Sequence, residues 1–402
     1  MLREAAAARL DPVYRDFYEG GAGRETALAD NEAAFRRLAL LPRVLRGSGP
    51  ATTAVDLPGA PGALPVVVAP TAFHRLAHPA GEPATARAAA AAGAVMVTSM
   101  ASTTAVGEVA AAARSVRPTA PVWFQLYLQP EERVIRELVR RAEAAGCTAL
   151  VVTADSPVFG RRPRDDRNGF HDLPPGHAAE NMRGLPGGPP GGTRPIAMSP
   201  ALSWADLRAL RAMTALPVLV KGVLHPADAR IAVDEGAAGV IVSNHGGRQL
   251  DAAPASLDAL PAVADAVAGR VPVLLDGGVR SGADVATALA LGATAVGVGR
   301  PVLWGLAAEG ERGVARVLEA LRDETAHVLT LCGAPDCAGL SRDQVVARAP
   351  RPAAVDPPGT STALPRKAVD GWTSRGGAAS PATPSRTRTT GTNRSCGRRT
   401  EG

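Results

Sequence analysis

The chain has 402 residues, 46% of them hydrophobic but only 3% aromatic, which is enough for one large domain or two ordinary ones. Its formal charge of +6 lies entirely in residues 351–402, where nine Lys/Arg meet three Asp/Glu, while the rest of the chain holds 35 of each sign. That placement argues against a nucleic-acid or membrane surface on the folded part, and no run approaches the roughly 18 apolar residues of a membrane helix.

The N-terminus, MLREAAAARLDP, has acidic residues and no long apolar stretch, so it does not read as a signal peptide and a cytoplasmic location is expected. Helical periodicity near 3–19 and 25–37 makes residues 1–63 a helical segment packed on the domain that begins at 64. Eight short apolar runs come next, at 64–70, 94–99, 121–127, 149–155, 217–223, 239–245, 272–278 and 295–300. They are valine-rich without in/out alternation, as parallel strands buried on both faces are. Alanine-rich helical stretches separate most of them. EPATARAAAAAG, EERVIRELVRRAEAAG and HPADARIAVDEG each end in glycine, a usual helix stop. The pattern predicts an α/β fold, a (β/α)₈ TIM barrel over 64–350.

The longest break, 156–202, contains RGLPGGPPGGTRP and is expected to be a long loop, either a functional lid or disordered. A last helix is expected at 302–331, and the Pro/Thr/Arg-rich stretch 351–402 reads as a disordered basic tail. The four cysteines have neither CxxC nor zinc spacing, so reduced thiols and no metal site are expected.

In such barrels the chemistry sits at the C-terminal ends of the strands. Strand one ends in Pro70-Thr71-Ala72, strand two in Ser99 and strand three in Gln125-Leu126-Tyr127. Strand four carries Thr153 and Asp155, with Arg161-Arg162 behind. Strand five ends in Lys221, one of only two lysines beside 42 arginines; the other, Lys367, is in the tail. Strand six delivers SNHGGRQLD, with Ser243, His245 and Arg248; strand seven delivers Asp276-Gly277-Gly278 and Arg280; strand eight, Gly299-Arg300. Titratable groups therefore converge on one rim while the strand bodies stay apolar. His245 is a candidate base, Asp155 its orienting carboxylate, and Arg248 a fork for a substrate carboxylate. Lys221 would place a compact positive charge where negative charge develops. The glycines of DGGVRSG and GVGRPV, with Arg280 and Arg300, suit a phosphate. A third glycine is missing from GVGRPV, so it is not a Rossmann fingerprint.

SNHGGRQLD, APTAFHRLAHPAGE, FQLYLQ, VTADSPVFGRR, LVKGV, LDGGVRSGADV and VGRPV closely resemble the blocks of the FMN-dependent L-2-hydroxy-acid oxidase/dehydrogenase family. The resemblance covers about residues 5–345. It implies FMN as cofactor, held by Pro70, Thr71, Ala72, Ser99, Gln125, Thr153, Lys221 and Ser243 around the ring. Asp276, Gly277, Gly278, Arg280, Gly299 and Arg300 would hold the ribityl chain and phosphate. It implies His245 as base, Asp155 as its partner, and Arg248, Arg162 and Tyr127 as substrate contacts. It also implies a homo-oligomer, commonly a tetramer. Two departures bear on substrate. Phe17, in RDFYEGGAGRE, stands where glycolate and lactate oxidases have a carboxylate-binding tyrosine, and Ala101 stands where glycolate oxidase has tryptophan. Both suit a larger, aromatic substrate, and the segment is similar to that of the 4-hydroxymandelate oxidases. Alanine at position 72 favours O₂ as acceptor. The alternatives are a lactate- or glycolate-type oxidase and a dehydrogenase with another acceptor.

Overall fold

A computed structural model describes residues 2–349; the tail expected to be disordered, 351–402, lies outside the described residues. Eight parallel strands form a closed barrel: β1 (Val66–Val68), β2 (Met96–Ser99), β3 (Val122–Leu126), β4 (Ala149–Thr153), β5 (Val218–Val223), β6 (Gly239–Val242), β7 (Val273–Asp276) and β8 (Ala295–Val298). Each pairs with its sequence neighbour, and β8 closes on β1 through Val296–Val66 to Val298–Val68.

Strand parity decides what reaches the site. One set of side chains (Val67, Val97, Trp123, Val151, Leu219, Ile241, Leu274 and Ala295) forms a small separate core inside the barrel. The alternate set, including Val68, Phe124, Val152, Val220, Val242 and Leu275, packs in the larger core around it. Successive side chains point to opposite faces, so two residues past each inward one the chain points inward again. The layer above the inner core is therefore Ala69, Ser99, Gln125, Thr153, Lys221, Ser243, Asp276 and Gly297. It is polar where the layer below is not. Leu57, Ala60 and Ala63, from an antiparallel pair at 55–57 and 60–63, join the inner core and plug the other end. Trp123 Nε1 donates to Pro58 O across 3.1 Å there.

Residues 1–63 are not purely helical. Helices α1 (Leu2–Arg9), α2 (Pro12–Glu19) and α3 (Thr26–Arg36) are followed by two short strand pairs, one of them joining Leu38–Leu40 to Val345–Ala347. The single helix expected over 3–19 breaks because Asp11 caps Val13 N at 2.8 Å and Pro12 starts the next helix. The loop at 156–202 carries a short helix, Pro163–Arg167, and a 3₁₀ turn, Glu180–Met182. The last helix runs Arg300–Leu331 with a break at Glu309 and Gly310.

Several strands end earlier than the apolar runs suggested, β4 at Thr153, β6 at Val242 and β7 at Asp276. Asp155, His245 and Gly277-Gly278 thus lie in the turns beyond the ladder. Among the described residues no helix is long and apolar enough to cross a membrane, and no acidic, His or Cys cluster could hold a metal ion. Cys147, Cys332 and Cys337 are buried free thiols, and burial pushes Cys147 up to about 12.

Candidate active site

The polar ends of all eight strands line one cavity of about 870 Å³. Its wall includes every sequence-predicted site residue except two, Asp155 and Ser243. Both contact residues that do line it, Asp155 through His245 and Ser243 through Lys221 and Asp276.

His245 adopts φ 60°, unusual for a non-glycine residue, and the two glycines after it continue the left-handed turn at 63° and 73°. The turn is pressed against the N-terminal segment. A Cβ on Gly247 would come within 2.5 Å of Leu28 N. It leaves His245 Nδ1 2.8 Å from Asp155 Oδ1. An ionised carboxylate accepts, so Nδ1 carries the proton and Nε2 keeps its lone pair for the cavity. Burial raises the Asp155 carboxyl, but His245 and Lys221 outweigh it and hold it down at about 2. Burial lowers His245 below its ordinary value, with Asp155 opposing, which leaves a neutral imidazole at pH 7. Asp155 itself is admitted by a bulge in β5 at Gly222, φ 100°, where a Cβ would lie 2.5 Å from the Asp155 Cβ.

Lys221 is 4% exposed. Its Nζ donates to Ser243 Oγ at 2.8 Å and pairs with Asp276 Oδ2 at 3.2 Å. Burial pushes its pKa down, but Asp276, then Asp155 and Tyr127, hold it above the ordinary lysine value. Ser243 is expected from the resemblance to touch the ligand. It is wholly buried and does not line the cavity, accepting from Lys221 Nζ and His245 N and donating to Asp276. Ser243 shares the inward layer with Lys221 and Asp276, and its short side chain is covered by the two longer charged ones it bridges. Burial chiefly, and Asp155 next, raise the Tyr127 phenol, so it stays protonated at the cavity wall.

Arg248 donates from Nη1 to the carbonyls of Phe17 and Gly20, at 2.7 and 2.8 Å, and stacks over the Phe17 ring at 5.0 Å. Its Nε and Nη2 bond no acceptor among the described residues. Burial, Arg162 and Arg300 lower its pKa well below the usual guanidinium value, so an added carboxylate would relieve an uncompensated charge. Arg162 lies 3.8 Å from Asp165 and has a buried, unpartnered Nε.

At the opposite side, Gly277 and Gly278 take φ 103° and 87°. A Cβ on Gly278 would lie 2.1 Å from Asn31 O, so only glycine lets α3 close on this turn. Arg280 pairs with Glu32 at 2.9 Å, and Arg300 donates to the carbonyls of Tyr18, Gly20 and Gly246. Burial and Arg280 lower Arg300 to about 10, which keeps it cationic at neutral pH. Gly299 precedes the helix that starts at Arg300; in its first turn Pro301 has no N–H and Val302 N and Leu303 N donate to Gly299 O, so the positive charge of this corner comes from the side chains of Arg280 and Arg300. Between the two sides, Ser99 Oγ donates to Gln125 Oε1 and Gln125 Nε2 to Thr153 Oγ1, each at 3.0 Å, an amide–hydroxyl edge suited to a ring with alternating donors and acceptors.

Sequence reasoning did not single out the aromatic wall. The chain has six phenylalanines, and four of them, Phe17, Phe73, Phe159 and Phe170, line this cavity. Phe17 packs on Phe73 at 5.9 Å and on Phe170 at 5.1 Å. Their scarcity elsewhere was the available signal. Tyr18 also lines the cavity, but its hydroxyl proton is committed to Phe73 O at 2.5 Å, so it is not free to replace the missing tyrosine at position 17.

A cationic, glycine-lined corner, an amide edge and a buried ammonium fit, in turn, a phosphate, a polar ring edge and an anionic ring locus. They define a flavin-mononucleotide barrel. Known proteins agree. Residues 6–347 match the family of FMN-dependent dehydrogenases. Glycolate oxidase 3 of Oryza sativa subsp. indica is 43% identical over 351 residues, 85% of this chain and 94% of that protein. Glycolate oxidase of Spinacia oleracea is 44% identical over 350 residues, 85% and 93% of the two chains. A solved mandelate oxidase variant with (S)-mandelic acid matches with TM-score 0.78 at 43% identity, over 86% of this chain and 97% of that one. A further mandelate oxidase variant contains an FMN adduct, again with TM-score 0.78 and 43% identity, over 86% of this chain and 99% of that one. The chain belongs to the FMN-dependent dehydrogenase family, its cofactor is FMN, and its chemistry is the oxidation of 2-hydroxy acids.

Proposed function

We propose that the protein oxidises an aromatic (S)-2-hydroxy acid of the mandelate or 4-hydroxymandelate class to the 2-oxo acid, with O₂ reduced to H₂O₂. The observation that carries this is the concentration of phenylalanine on the wall of the cavity that Arg248 also lines, in a chain otherwise poor in aromatics. Apolar ring faces stabilise a bound phenyl group, and offset ring pairs add about 0.5–1.5 kcal/mol beyond area burial. Ala101, 7% exposed on the cavity wall, leaves room that a large side chain would fill.

Bound FMN would supply the two-electron acceptor, with oxygen as the final oxidant. The free edge of Arg248, with Arg162, holds the substrate carboxylate. Tyr127 donates a hydrogen bond near the substrate hydroxyl or carboxylate. His245 Nε2 takes one proton as the alcohol carbon becomes a carbonyl, and Asp155 stabilises the imidazolium so formed. Two protons and two electrons leave the substrate, and the same number complete H₂O₂.

The test is anaerobic titration of the flavoprotein with glycolate, L-lactate, (S)-mandelate and (S)-4-hydroxymandelate, followed by air. Bleaching at the lowest concentrations by the mandelates, then recovery with peroxide, is expected. Preference for lactate or glycolate would overturn the aromatic reading. Bleaching without recovery in air would overturn the oxidase reading.

Two variants sharpen it. Ala101→Trp is expected to raise KM for mandelate at least 10-fold while glycolate turnover changes little, because only the larger ring needs that space; steady-state kinetics on both substrates checks this. Arg248→Lys keeps a positive charge but loses the planar fork. A lost charged hydrogen bond of about 1.5–3 kcal/mol predicts a fall of roughly 10- to 100-fold in kcat/KM. Benzoate inhibition should weaken in parallel.

A further inference from the structure

A buried polar cluster next to the cavity takes no part in the proton chemistry above. His74 is 1% exposed and Glu82 and Thr85 are 0% exposed. The imidazole bridges two hydroxyls, with Nε2 2.6 Å from Thr71 Oγ1 and Nδ1 3.0 Å from Thr85 Oγ1. Glu82 does not bond the ring. Its carboxylate accepts from His74 N at 3.0 Å and from Thr103 N, Thr103 Oγ1 and Thr104 Oγ1 at 2.7–3.0 Å. It thereby fixes the tight turn His74–Leu76, which Phe73 enters at φ 60°.

The tautomer is set by elimination. The Thr85 hydroxyl has no other acceptor among the described residues. Leaving a buried O–H unmade costs about 1–3 kcal/mol, so it donates to Nδ1. A neutral ring with Nδ1 accepting carries its proton on Nε2, which then donates to Thr71 Oγ1. Burial lowers the His74 pKa, Glu82 opposing, which keeps the ring neutral at pH 7. Thr71 has therefore received a hydrogen bond rather than given one, and its own proton has no protein acceptor among the described residues. Thr71 lines the cavity, and its methyl lies where a Cβ on Gly299 would approach to 3.1 Å.

We propose that His74, held by Thr85 and by the Glu82-fixed turn, is a positioning residue that directs the Thr71 hydroxyl proton into the cavity as a donor to bound FMN. Thr85 reaches the cofactor only through this relay, since it does not line the cavity. The alternative is that the cluster merely packs the start of the helix Gly81–Ala92.

The test is the rate of FMN release from the holoenzyme, followed by the fluorescence of the freed flavin, in a double-mutant cycle. Thr71→Val and Thr85→Val should each speed release by about 2- to 10-fold, the worth of one hydrogen bond. The double variant should be no faster than Thr71→Val alone, because the relay then has nothing to direct. Thr71→Ser should release FMN at the wild-type rate. Effects that multiply in the double variant would overturn the relay, as would a Thr85→Val enzyme with unchanged release. His74→Gln, which keeps a donor toward Thr71, guards against a folding defect. It should stay within about 3-fold of wild type, and release as fast as that of Thr71→Val would count against the proposal.

Discussion

His245→Gln is expected to lower kcat by about 10²–10⁴-fold while the protein still purifies yellow. The two halves of this result come from different parts of the geometry. In the proposed mechanism His245 Nε2 is the base, its lone pair left free because Asp155 occupies Nδ1 at 2.8 Å. Glutamine keeps a donor for Asp155 but has no group that titrates near neutral pH. The phosphate corner at Gly278, Arg280 and Arg300 does not depend on it, so FMN should remain. Stopped-flow reduction under anaerobic conditions separates the two: slow bleaching with a normal oxidised spectrum is expected. Loss of flavin would instead place His245 in cofactor binding. The pH profile adds a sign. A base works deprotonated, so wild-type kcat/KM should fall on the acid side. The fall should come below the ordinary histidine value, since burial lowers His245. Asp155, near 2, stays ionised across that range. The acid limb should vanish in His245→Gln.

The barrel was legible because its strands are buried on both faces and so appear as unbroken valine-rich runs. The rim was legible because polar residues recur where those runs stop. Other features depend on parity and on distant contacts, which no local pattern encodes. Ser243 sits in the same short motif as His245, yet its side chain points down into the barrel while the histidine turns outward on a left-handed backbone. The strand pair at 55–57 and 60–63 was hidden because its partner is the end of the barrel rather than a neighbouring repeat. The grouping of Phe17, Phe73, Phe159 and Phe170 on one cavity wall brings together three separated segments of the chain, with Phe159 and Phe170 both in the 156–202 loop. Only the folded chain places Phe17, Phe73 and Phe170 side by side.

Lysine usage connects sequence to electrostatics, and it carries the second large prediction. Lys221 is the only lysine among the described residues. The site needs a compact ammonium there. Its Nζ sits between Ser243 and Asp276 with 4% exposure, contacts that suit a compact point charge rather than a planar fork. Lys221→Met should act in two separable ways. Removing one partner of a buried ion pair leaves the Asp276 carboxylate uncompensated, and such losses cost about 3–5 kcal/mol. Thermal unfolding should shift down accordingly. Removing the charge should also slow flavin reduction by about 10²–10³-fold, the usual effect of losing one electrostatic contact to developing negative charge. The double variant Lys221→Met/Asp276→Asn distinguishes the effects. Neutralising Asp276 removes the uncompensated charge, so stability should largely return. Reduction should stay slow, because the ammonium is still missing. If the double variant recovers both, Lys221 serves only to neutralise Asp276. If it recovers stability alone, the single retained lysine is there for the flavin.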